Sequence, residues 1–176
     1  MTLREQILRN AGLLVEDENE QNEQNEQKSD YTDTLKKLIN GEAAAAIQYK
    51  FAADAITGPD QSYLVDHFEE HAKEEWGHYS ELVAALMERG GHPDLSLAKI
   101  LSDANPATKE LTEYSSEYLR KFFADAEEAA IKAYQAFYDE IKDGQDTKDL
   151  ADIINGIISD EREHKLDFTR IGGGEE

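Results

Sequence analysis

The chain has 176 residues, no cysteine, and 39 acidic against 18 basic side chains, for a formal charge of −21. That charge disfavours a nucleic-acid partner, because phosphate recognition needs a cationic footprint, and no apolar run approaches the roughly 20 residues that cross a bilayer. Without thiols, disulfides and redox-thiol chemistry are excluded, and any metal must be held by carboxylate and imidazole.

Residues 1–30 read as an N-terminal extension. Leu3, Ile7 and Leu8 make a short amphipathic segment that Gly12 interrupts. From Glu16 to Asp30 the Glu/Gln/Asn repeats have nothing to bury, which predicts a disordered tether. Met1 to Val15 lacks a long apolar segment and a small-residue cleavage site, so a cytoplasmic protein is expected.

From Tyr31 the apolar period is helical. A first helix is expected from about Asp33 to Ile56, with Leu35, Leu38, Ile39, Glu42, Tyr49 and Ala53 inward and Gly58-Pro59 as its stop. A second, from about Asp60 to Arg89, ends at Gly90-Gly91-His92-Pro93. Its inner stripe carries Leu64, Phe68, His71, Glu75, His78, Leu82 and Leu86. Pro93 to Thr108, with one helical turn near Leu97 to Leu101, is long enough to be a crossover between parallel helices. A third helix covers about Thr112 to Lys142 and a fourth about Thr147 to Thr169, and residues 171–176 form a flexible tail. The expected fold is all-α: a four-helix bundle over residues 31–170 with a long crossover between helices two and three.

Two segments read Glu-x-x-His: Glu75-Trp76-Gly77-His78 and Glu161-Arg162-Glu163-His164. Residues three apart share a helix face, so each Glu and His can reach one ion. A carboxylate can bridge two ions and a neutral imidazole can cap one, a donor set that suits iron or manganese. Two such motifs and one lone Glu from each of two further helices complete a dinuclear site. Glu42 lies thirty-three residues before Glu75, with Tyr49 seven residues after it. In the second half, spacing favours Glu128, whereas the stripe of Phe123, Ala130, Tyr134, Phe137 and Ile141 favours Glu127, with Tyr134 seven residues on. Glu127 is preferred, since the Asp143 to Asp146 loop readily absorbs one residue. His71, one turn before Glu75, is a candidate supporting or entry-path ligand. His67 reads as a polar residue near the bundle end, and Glu70 and Glu74 as surface charge.

With these residues in place, the region from Tyr31 to Phe168 resembles the ferritin-like superfamily, nearest to bacterioferritins and Dps-like mini-ferritins. Gly41 to Tyr49 is similar to the bacterioferritin first-helix motif, and Glu70 to Asp94 to the second-helix motif and its exit. The resemblance implies a ferritin-like bundle with a di-iron ferroxidase centre. In it, Glu42 and Glu127 are terminal ligands, Glu75 and Glu161 bridge, His78 and His164 each cap one iron, and Tyr49 is a hydrogen-bond or electron donor beside the bridge. The implied activity is oxidation of Fe(II) with O2 or H2O2, for iron storage, detoxification and protection from oxidative stress, with manganese or zinc as alternative ions.

Departures from the pattern narrow this. Trp76 stands where bacterioferritins have the haem-ligating Met, so no haem is expected. Only twelve residues follow His164, three of them glycine, which argues against the large cage and for a homo-oligomer that is a dimer or a dodecamer. The cysteine pair of archaeal Dps-like proteins and the basic tails of DNA-binding Dps proteins are both missing. The rival functions are a manganese-catalase-like, peroxidase or oxygenase enzyme on the same ligands, and a non-catalytic helical interaction module. A metal-free bundle is disfavoured because six buried unpaired ionisable groups are costly.

Overall fold

The computed structural model describes residues 18–104 and 110–170, with side chains from Tyr31 onward. Its helices are α1 (Glu18–Ala55), α2 (Gln61–Glu88), α3 (Leu97–Asp103), α4 (Ser116–Ile141) and α5 (Lys148–Arg170), with a 3-10 turn at Gln145–Thr147. The chain divides into two units, Met1–Asp33 and Thr34–Glu176. In the first, the backbone is helical from Glu18, where the sequence predicts a disordered tether. Glu and Gln are good helix formers, and no Gly or Pro interrupts residues 18–40. The amphipathic segment expected within Met1 to Val15 and the tail at 171–176 lie outside the described residues.

The second unit is the bundle. Its helix ends follow from local chemistry. Gly90, at φ 78°, closes α2 as Gly90 N–H donates to Met87 O and Gly91 N–H to Leu86 O, the crossed pair of a Schellman motif. The turn after α1 uses Gly58 at φ 112° and Asp60 at φ 62°. The α4 helix starts at Ser116 rather than Thr112, because Thr57 N–H donates to Tyr114 O and Ser116 N–H to Thr57 O, a parallel bridge that keeps the preceding residues extended. Ser115 then caps the helix by accepting from Tyr118 N–H.

The crossover is anchored at its start by Asp94, whose carboxylate accepts from buried Asn40 at 3.1 Å and from Lys99 at 2.7 Å. A long crossover between α2 and α4, described over residues 93–104 and 110–115, is the connection that lets those two helices run parallel. One apolar layer combines all four long helices: Tyr49, Ala52 and Ala53 from α1 with Ile56 just past its end, Leu64 and Phe68 from α2, Leu119 and Phe123 from α4, and Phe168 from α5. Toward the other end, Leu35, Leu38, Leu82, Leu86, Phe137, Ile141, Leu150 and Ile154 are buried. Between these two apolar ends lies a polar layer. Among the described residues no helix is long and apolar enough to cross a membrane.

Candidate metal centre

Glu42, Glu75, His78, Glu127, Glu161 and His164 are each at most 6% exposed. Their donor atoms form two overlapping groups, Glu42/Glu75/His78/Glu161 and Glu75/Glu127/Glu161/His164, each with its ligand atoms within 4.8 Å of one another. Glu75 and Glu161 belong to both groups, and each divides its oxygens between them. Around His78 Nδ1 stand Glu42 Oε2 at 3.3 Å, Glu75 Oε2 at 3.6 Å and Glu161 Oε1 at 3.6 Å. Around His164 Nδ1 stand the opposite oxygens, Glu75 Oε1 and Glu161 Oε2, both at 3.4 Å. Glu127 completes the second group as Glu42 does the first. Glu128 is at the surface, paired with Lys165 at 2.6 Å and Lys132 at 2.9 Å.

The donor atoms fit cations. Glu42 Oε2, Glu161 Oε2, His78 Nδ1 and His164 Nδ1 are buried without a hydrogen-bond partner, a costly state for polar atoms unless a ligand satisfies them. Four carboxylates would also balance two divalent ions with both imidazoles neutral. Without ions, protons take that part. Burial, then Glu75, pushes Glu42 well up, and burial with Glu161 does the same to Glu127. Burial opposes a charge on His164, but Glu161 and Glu75 raise it to about 10, and Glu161, Glu42 and Glu75 likewise raise His78. Against burial, Glu42, His164 and His78 hold Glu75 below the usual carboxylate range, and against burial and Glu75 the two histidines lower Glu161.

Supporting groups are exchanged between the halves. The Tyr49 hydroxyl, on the helix of Glu42, donates to Glu127 Oε1, and the Tyr134 hydroxyl, on the helix of Glu127, donates to Glu42 Oε1. Burial and the neighbouring carboxylate raise both phenols, so they stay protonated donors. The imidazoles are cross-held too. His78 Nε2 donates to Asp160 Oδ2 at 3.3 Å, and His164 Nε2 to Glu74 Oε2 at 2.9 Å. Such carboxylates orient a ligating ring and leave its other nitrogen free for a metal.

Tyr134, Asp160 and Glu74 therefore hydrogen-bond to the six-residue cluster although the sequence reading gave them no place in it, and Glu74 is more than surface charge. Their signal was present. An acid stands immediately before each Glu shared by the two groups, as Glu74-Glu75 and Asp160-Glu161, so the doubled motif is acid-Glu-x-x-His. Replacing Asp160 with Asn or Glu74 with Gln is expected to weaken metal affinity by about 10-fold or more at the adjoining position while the fold persists. Competition titration with a chromophoric chelator measures this, and affinities unchanged in both variants would refute the supporting role.

His71 is buried, its ring edge-on to His164 at 4.0 Å between centroids and 5.4 Å from Tyr49. Burial, then His164, lowers it to about 3. Trp76 points away from the centre, 45% exposed and packed on Tyr79.

A family model described as a ferritin-like domain matches residues 32–171. The chain belongs to the ferritin-like family. Among solved structures, this ferritin-like chain is similar to the dodecameric thioferritin, a bacterioferritin-related protein, of Bacteroides fragilis: 27% identity over 81% of this chain and 84% of that one, TM-score 0.76. It also has the fold of the Bacillus brevis Dps protein, at 20% identity over 82% of this chain and 95% of that one, TM-score 0.75. The Vibrio cholerae Dps protein, described as one of a broad superfamily of ferritin-like diiron-carboxylate proteins, shares it at 12% identity over 82% and 89%, TM-score 0.74. No curated protein sequence matches this ferritin-like chain.

Proposed function

We propose that the chain is a ferroxidase that takes Fe(II) as its substrate at the six-residue centre. The observation that carries this reading is the division of oxygens by Glu75 and Glu161 between two donor groups, each completed by one further Glu and one His. Each of two Fe(II) ions gives up one electron. The pair reduces hydrogen peroxide to water, or O2 to hydrogen peroxide, with uptake of two protons. Glu75 and Glu161 bridge the substrate ions, Glu42 and Glu127 hold one each from the sides, and His78 and His164 supply neutral nitrogen donors. All four carboxylates offset the charge that grows as iron is oxidised. Tyr49 and Tyr134 fix the oxygens of Glu127 and Glu42, leaving the other oxygen of each for iron.

The working form is proposed to be a homo-oligomer. The α3 helix buries none of its residues, and Leu95, Leu97, Leu101 and Tyr114 along the crossover are at least 60% exposed, an apolar set suited to contact with another copy. The thioferritin relative, itself dodecameric, supports that assembly.

The test is anaerobic loading with Fe(II) followed by separate challenges with O2 and H2O2, on protein sized by light scattering. Rapid appearance of the ferric absorbance after either oxidant, with at least two irons bound per chain before it, is the expected result. Peroxide disproportionation without net iron oxidation would overturn the ferroxidase reading in favour of a catalase.

A further inference from the structure

Three donor atoms outside the six-residue centre converge between α2 and α5. His67 and His71 stand at i and i+4 on α2, so their imidazoles share a face. Asp167 comes from α5, one turn beyond His164. His67 Nδ1 lies 3.7 Å and His71 Nε2 3.5 Å from the same oxygen, Asp167 Oδ2, and the three ligand atoms fall within 4.8 Å of one another. Those separations exceed good hydrogen bonds. They match ligand-to-ligand edges of about 3.4 Å around one tetrahedral cation with bonds of about 2.1 Å. The dinuclear centre has the same edges, 3.3 to 3.6 Å around His78 Nδ1.

A second observation points to a ligand. His71 is only 2% exposed, and Nδ1 of both His67 and His71 is buried without a hydrogen-bond partner. Ionic pairing leaves His67 Nδ1, the atom that faces Asp167, unsatisfied, and coordination would use it directly; His71 would coordinate through Nε2, its unpartnered Nδ1 being the ring's other nitrogen. Tyr63, 4.3 Å from the His67 ring, and Phe168, 5.2 Å from that of His71, wall the group with aromatic surface.

We propose that His67, His71 and Asp167 form a third, mononuclear site for a borderline divalent cation such as Fe(II), Co(II) or Zn(II). Two imidazoles and one carboxylate suit these ions and not the oxygen-seeking Mg(II) or Ca(II). His67 and Asp167 side chains are 20% and 34% exposed, so the site opens outward, while its inner ligand His71 touches His164 of the dinuclear centre. One carboxylate leaves a divalent ion with residual positive charge, against two carboxylates per ion in the dinuclear centre. The third site therefore binds more weakly and exchanges ions, as a station at the mouth of the centre should.

This assignment is separable from the ferroxidase reading, because different substitutions remove the two sites. The experiment is anaerobic equilibrium dialysis of the metal-free full chain against Co(II), with metal analysis and visible absorption, on wild type, His67→Ala, Asp167→Asn and the double variant Glu75→Ala/Glu161→Ala. Wild type is expected to bind a third equivalent that both His67→Ala and Asp167→Asn lose, with their helical circular dichroism unchanged. The double variant is expected to retain that equivalent. A stoichiometry and spectrum identical in wild type, His67→Ala and Asp167→Asn would overturn the site.

Discussion

Replacing Glu75 or Glu161 with Ala is expected to lower the rate of Fe(II) oxidation by at least about 100-fold, more than a supporting carboxylate would cost. Each of these side chains contributes one oxygen to the His78 side and the other to the His164 side. A single substitution therefore depletes both donor groups and releases the coupling between the two irons. Glu42→Ala and Glu127→Ala each deplete one group, so one ion should still bind in them and the two-electron step should fail for lack of its partner. Stopped-flow absorbance, with anaerobic iron stoichiometry, separates these cases. Unchanged rates in both bridging variants would end the ferroxidase assignment.

Divalent metal is expected to raise the melting temperature, and by more at about pH 8 than at about pH 6. The sign follows from the protons held by the metal-free centre. His164, raised from 6.5 to about 10 by Glu161 and Glu75 against burial, contributes stability that is complete below 6.5 and is lost as pH rises through 10. Glu42 and Glu127, raised by burial, act in the same direction, because each prefers its neutral form in the folded protein. Raising pH thus strips the centre of the protons that offset its buried carboxylates, and removes the competitors of the metal. At a free metal concentration about 100 times the dissociation constant the gain is about 2.7 kcal/mol, which in a chain of this size is roughly 5–10 °C. Differential scanning calorimetry with and without Co(II) under anaerobic conditions measures it. A metal-induced increment that shrinks with rising pH would contradict the proton accounting.

The bundle was legible because its signal is local and periodic. Leu64, Phe68, His71, Glu75, His78, Leu82 and Leu86 mark one face of α2, and all of them are buried. The clustering of the six donor residues was legible because the doubled motif carried its own register, and placing Glu127 rather than Glu128 among them needed only the helical stripe. What stayed hidden depends on contacts between distant segments. Tyr114 and Ser115 directly precede a helix, yet they stay out of it because Thr57 pairs with that stretch across 58 residues of chain. Glu74 reads as surface charge and Asp160 has no periodic signal of its own, yet a half-exposed carboxylate can still reach the outer nitrogen of a buried imidazole, and the direction of that ring is set by packing. Tyr134 was visible on the stripe, but its hydroxyl partner lies on another helix. His67 and Asp167 likewise belong to different helices, and no spacing along the chain announces their meeting.

The exchange of Tyr49 and Tyr134 between opposite carboxylates, and of Asp160 and Glu74 between opposite imidazoles, has a consequence for how the protein matures. Each helical hairpin carries ligands, but the groups that aim them reside on the other hairpin. A nascent or partly unfolded chain would thus present loose carboxylates and misdirected rings, and only the docked pair would hold iron tightly. On the ferroxidase reading, iron would be retained, and oxidised, only once the two hairpins have docked.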